Sequence, residues 1–118
     1  MFILYTLLIK MDANGSLFEE VNNSLETLKR HVSIIKTLLM EQPLGIIKIS
    51  QETGIPEHKI RYSLRILERS GIIAPSREGA ILNPDFVQER EKLVDGAKSL
   101  RDEMDRLVQD LKDLLIRK

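Results

Sequence analysis

The chain contains no cysteine and no tryptophan, and only three Phe and two Tyr among its 118 residues. Without thiols there is no disulfide scaffold, thiolate nucleophile, cysteine zinc site or iron–sulfur ligation, and the composition suits a reducing compartment. With so few aromatics the core has to be aliphatic, and Leu and Ile at helical spacing are the means available. An excess of one charge is also lacking. Lys plus Arg number 18 and so do Asp plus Glu, so net charge recommends no partner and only local clustering can. Hydrophobic residues at 42% are enough for one globular unit and exclude a mainly disordered chain.

A long hydrophobic run is missing too. The opening MFILYTLLIK has eight apolar residues in its first nine, against about 20 for a bilayer span. Its only charge, Lys10, follows the run instead of preceding it as in a secretory signal. No membrane partner is expected, and the cytoplasm is the expected location. Residues 1–15 form an apolar segment with two readings: Met11 is the native start, or the segment is buried at an oligomer contact, because exposed it would promote aggregation. The triplets beginning at Asn14 and Asn22 are chance matches to a glycosylation signal in such a chain. The only histidines, His31 and His58, lie 27 residues apart without clustered acids. No phosphate loop, nucleophile elbow or acid/base pair is present, so no metal, no cofactor and no catalysis are expected, and His31 reads as a helix-surface residue.

What is present is helical periodicity. Ser16-Leu17-Phe18-Glu19 is a capping box that starts a helix over 16–40. Phe18, Val21, Leu25, Leu28, Val32, Ile35 and Leu39 follow at alternating spacings of 3 and 4, the stripe that faces a partner helix. Ile34 and Leu38 widen it as the helix enters a core, and Gln42-Pro43 lies beyond its end. Gly45 to Thr53 reads as a short helix ended by Gly54, and Pro56 opens another that stops near Ser70 and Gly71. Gly71 to Ser76 and Ala80 to Leu82 are strand-like, with Arg77-Glu78-Gly79 as a three-residue hairpin turn. Asn83-Pro84-Asp85 starts a last helix of about 34 residues, or about 50 Å. In it Phe86, Leu93, Leu100, Leu107 and Leu114 recur every seven residues, with Ala97, Met104 and Leu111 between them; Arg90 and Lys118 interrupt the seam, and Gly96 weakens the helix locally.

The segment IKISQETGIPEHKIRYSLRILERSGIIAPSREGAIL resembles the DNA-binding part of winged helix-turn-helix transcriptional regulators, including many archaeal ones. The resemblance covers about residues 33–83 and rests on seven spaced positions: Ile49, Ile55, Ile60, Leu64 and Leu67 as buried residues, Gly54 at the turn and Gly71 before the wing. Ser50 departs from the alanine common in that family. The resemblance implies a mainly α fold with a winged helix-turn-helix core over 41–83, a small β-hairpin wing, and the helix from Pro56 as the element that enters the major groove. A metal-sensing cysteine motif is absent.

The helical angles lead to the same face independently. At about 100° per residue, Ile60, Leu64 and Leu67 fall within roughly 40° of Ile60. His58, Tyr62, Arg65 and Arg69 lie opposite, with Lys59 and Arg61 on the flanks. Four Lys or Arg against two Glu between Glu57 and Arg69 make this outward face basic in a chain that is neutral overall. Arg61, Tyr62 and Arg65 are expected at base edges, and His58, Lys59 and Arg69 on the backbone, because arginine reaches guanine edges bidentately. Lys48 on the preceding helix and Arg77 at the hairpin tip are further candidate contacts, each with plain solvation as its alternative.

The apolar stripes of the first and last helices exceed what a small core can cover, so a homodimer is expected, through Phe18, Val21, Leu25, Leu28, Leu93, Ala97, Leu100, Met104, Leu107, Leu111 and Leu114. The 84–118 segment is read as coiled-coil-like, and an intramolecular antiparallel hairpin of the two helices is the alternative. Together these features point to a cytoplasmic transcriptional regulator that reads a pseudo-palindromic double-stranded DNA site. A winged-helix protein-interaction adaptor is the rival reading. The pairing direction of the helices and any small-molecule effector stay open.

Overall fold

The computed structural model describes residues 17–116. The apolar segment 1–15, the capping Ser16, the Asn14 triplet and Lys118 lie outside them. The protein is mainly helical, with one small antiparallel sheet between helices, in the order α1 (Glu19–Met40), α2 (Ile46–Thr53), α3 (Glu57–Arg69), β1 (Ile73–Ser76), β2 (Gly79–Leu82), α4 (Pro84–Glu89) and α5 (Glu91–Ile116). It divides into two compact units, the first ending at Asn83 and the second beginning at Pro84.

The first unit is held by an aliphatic core. Ile34, Ile35 and Leu38 of α1, Ile49 of α2, Ile60 and Leu67 of α3, and Leu44, Ile73, Ala80 and Leu82 around the sheet are all buried. Burying each large aliphatic side chain contributes about 1.5–3 kcal/mol. Ile55 and Leu64, expected in this core, are only half-buried. The helix α1 begins at Glu19 with Phe18 in the N-cap position and no side-chain cap, two residues beyond the expected capping serine. Its upper stripe, Val21, Leu25, Leu28 and Val32, is exposed, whereas the lower turns bury Ile34, Ile35 and Leu38 and leave Leu39 outside.

The connection between α2 and α3 is fixed locally. Gly54 ends α2 in the left-handed region at φ 75°, which glycine adopts without a Cβ clash. Thr53 Oγ1 accepts the Ile55 N–H at 3.2 Å, and the Ser50 hydroxyl donates to the Ile55 carbonyl at 2.6 Å. Ser50 therefore ties the turn back to α2, a contact that alanine cannot make. Pro56 caps α3, with Glu57 in its first turn beside the positive end of the dipole.

The sheet pairs Ile73 with Leu82 through to Ser76 with Gly79, so Gly79 is a strand residue and the loop is Arg77-Glu78, one residue shorter than the sequence suggests. A third partner extends it: the Leu44 and Ala80 backbones exchange hydrogen bonds at 3.1 and 2.8 Å. Gln42 Oε1 also accepts the Leu82 N–H at 2.7 Å. The ribbon is thereby anchored to the segment that leads from α1 into α2.

The second unit consists of α4 and α5, not one continuous helix. At Arg90 the ladder tightens, with the Leu93 N–H donating to the Arg90 carbonyl at 3.1 Å. The Arg90 guanidinium meanwhile donates to the Val87 carbonyl at 2.6 Å. Phe86 is thus on α4, apart from the heptad run of α5. No residue of α5 is buried, and Leu93, Ala97, Leu100, Met104, Leu107, Leu111 and Leu114 are all exposed. No helix among the described residues is long and apolar enough to cross a membrane.

Candidate functional site

The helix α3 is packed on one side and open on the other. Its buried arc is Ile60, Ser63 and Leu67, rotated by roughly 30° from the arc expected with Leu64 at its edge. The rotation brings Ser63 inward and turns His58 and Arg65 most directly outward. His58, Lys59, Arg61, Arg65 and Arg69 are all exposed, and Tyr62 is 49% exposed. Among the described residues no carboxylate forms an ion pair with Lys59, Arg61, Arg65, Arg69 or Arg77. On α5, by contrast, Arg101 and Arg106 are each paired with an acid.

Lys48 and Arg61 line the same shallow groove between α2 and α3, together with Gln51, Gly45 and Glu57. Nothing in the local pattern of either helix joins the two cations, and Gln51, an exposed amide on the same rim, carries no signal of its own in the sequence. Lys48 is also 3.9 Å from Glu52, one turn on, an exposed pair of the kind that contributes about 0–1 kcal/mol. Arg77 is exposed in the two-residue loop of the ribbon.

The flank of α3 that faces α1 holds a polar cluster absent from the sequence reading. Ser63 is fully buried. Its hydroxyl accepts from Arg30 Nε at 2.7 Å and lies 3.0 Å from His31 Nδ1. Guanidinium nitrogens only donate, so the serine proton is free to point to a neutral His31 Nδ1. The Arg30 guanidinium also covers the Tyr62 ring, 5.7 Å from its centroid, in cation–π range. Tyr62 therefore presents one ring face to Arg30 and only the remainder to solvent. His31, read from sequence as a surface residue, is instead half-buried in this cluster. The available signal was Ser63 itself, a polar side chain on the buried side of an amphipathic helix, which requires a partner.

Partial burial holds the His31 pKa below its usual 6.5, and the adjacent Arg30 charge acts in the same direction. The unfolded chain therefore binds a proton more readily than the folded one. Stability is fully present above pH 6.5 and falls as pH drops through the unfolded value toward the lower folded one. Thermal unfolding between pH 8 and pH 5 is expected to show this loss, and His31→Gln to flatten it. Equal pH slopes in the two proteins would refute the assignment.

Among the described residues no group of three or more His, Asp or Glu side chains is placed to hold a metal ion. No protein-family model and no curated protein sequence matches the chain.

Proposed function

We propose that the protein is a homodimeric, sequence-specific DNA-binding transcriptional regulator of winged helix-turn-helix type, with α3 as its recognition helix and the β1–β2 ribbon as its wing. The observation that carries this reading is the two-sidedness of α3. Ile60 and Leu67 are buried beneath it, while His58, Lys59, Arg61, Arg65 and Arg69 are exposed on the other side. A helix presenting four Lys or Arg without ion pairs among the described residues suits a polyanion whose major groove admits a helix. The turn through Gly54 sets α2 beside α3, so that Lys48 and Arg61 share a rim from which both reach a duplex.

In this reading two copies of α3 address half-sites about 10 base pairs apart, or a multiple of that, and affinity falls steeply with salt. Arg61, Tyr62 and Arg65 supply contacts at or near base edges, while His58, Lys59, Arg69, Lys48 and Arg77 hold the backbone. Selection of bound sequences from random duplex DNA at physiological salt is the direct test, with an enriched pseudo-palindrome as the expected result. No enrichment would overturn the regulator and favour a protein-interaction adaptor. On the selected site, Arg61→Ala and Arg65→Ala are each expected to weaken binding about tenfold to a hundredfold with the dimer retained. Undiminished affinity in the double variant would remove the assigned face.

A further inference from the structure

The cationic surface does not end at α3. Arg30 belongs to α1, yet its side chain is held against the recognition helix by a hydrogen bond to the buried Ser63 hydroxyl and by the ring of Tyr62. The hydrogen bond uses one of the five guanidinium N–H groups, that on Nε; the other four are on the two terminal nitrogens. Among the described residues no carboxylate pairs with this charge. Its neighbours in the cluster, a serine hydroxyl, a phenol ring and a histidine with a lowered pKa, do not neutralise it. The residue is half-buried, and the hydrogen bond and ring contact hold its long side chain in place without a ligand. That preorganisation reduces the entropy a contact would otherwise cost.

We infer that Arg30 is a nucleic-acid contact: a preset clamp for one backbone phosphate at the Tyr62 edge of α3, which extends the interface from the recognition helix onto α1. Nε is engaged by the protein, and Nη1 and Nη2 are the atoms that receive the phosphate oxygens. A planar guanidinium with two adjacent N–H donors matches that acceptor geometry. The contact adds affinity without reading sequence, because every duplex presents the same phosphates.

This inference rests on the proposed reading of α3, and the test separates the two. Binding of the full chain to its selected duplex and to a random-sequence duplex is measured across a salt series for the parent, Arg30→Gln and Arg30→Lys. Glutamine keeps an N–H for Ser63 but removes the charge; lysine keeps the charge. The slope of log affinity against log salt is expected to fall by about 0.9 in Arg30→Gln, equally on both duplexes, and to stay at the parent value in Arg30→Lys. A parental slope in Arg30→Gln, or the same loss in both variants, would overturn the contact while leaving the function of α3 standing. Should the glutamine variant not fold, NMR of the parent decides: the Arg30 guanidinium resonances should shift on titration with random-sequence duplex. Their staying fixed while α3 resonances move would overturn the clamp. A parent that binds neither duplex at low salt overturns the reading of α3 as well.

Discussion

Gly79→Ala is expected to destabilise the first unit by about 2–6 kcal/mol, far more than an exposed ribbon position ordinarily would. Two independent costs meet there. Gly79 has φ 134°, a conformation that costs an L-residue on the order of 1–3 kcal/mol. A Cβ built on it would also lie 2.5 Å from both the carbonyl carbon and oxygen of Leu44 and 2.8 Å from the Gly45 nitrogen. These are backbone atoms, so no side-chain rotation relieves the clash, and overpacking of this kind adds about 1–3 kcal/mol. The segment that would have to move is the one whose Leu44 exchanges hydrogen bonds with Ala80 and whose Gly45 caps α2. Domains of this size hold only about 5–15 kcal/mol in all. Denaturant unfolding should therefore show a large drop in midpoint, with hydrogen exchange fastest at Leu44 and Ala80. An unfolding free energy within about 0.5 kcal/mol of the parent's would show that the close approach is not needed.

The same glycine marks where sequence reasoning reached its limit. Read locally, Arg77-Glu78-Gly79 is a turn with glycine at its end; Gly79 instead pairs with Ser76 as a strand residue, and what requires glycine there is the close approach of Leu44, far upstream, of which a one-dimensional pattern contains no trace. The α2–α3 pair was legible for the opposite reason. Gly54, Pro56 and the isoleucines at 49 and 60 are local signals of cap, start and period, and each acts within a turn or two of chain. The cationic face of α3 was legible from helical angles alone, but its rotation was not, because the rotation comes from α1 packing on the Ser63 side. Arg30, His31 and Ser63 meet across 32 or 33 residues. Nothing in the spacing of α1 distinguishes Arg30 from Lys29, which forms an exposed pair with Glu26. The break at Arg90 was hidden too: the residues around it are ordinary helix formers, and only the Arg90 seam position hinted that the regular run starts later.

The heptads of α5 carry the second large effect. In the proposed homodimer Leu107 lies inside the α5 seam, one position past its centre, and Leu107→Glu is expected to convert the dimer to monomer at micromolar concentration. Leu107 is 45% exposed in the single chain, so the substitution costs that chain little. Glutamate is nearly as good a helix former as leucine, and α5 itself should keep its helicity. In a dimer through this seam the change occurs twice. Each copy loses the part of the about 1.5–3 kcal/mol for full burial that the dimer adds to an already half-covered side chain, and acquires a carboxylate that is costly to bury without a partner. A loss above about 4 kcal/mol corresponds to a dissociation constant raised by roughly a thousandfold. Sedimentation velocity over a dilution series would read it, with circular dichroism as the control for helicity. DNA binding adds an independent measure: α3 is untouched, so the monomer should keep half-site contacts and lose the gain from joining two half-sites. A parent that is already monomeric, or a variant that remains dimeric, would remove α5 from the interface. Loss of dimerisation with unchanged affinity for the full site would show that the two α3 helices do not read DNA together.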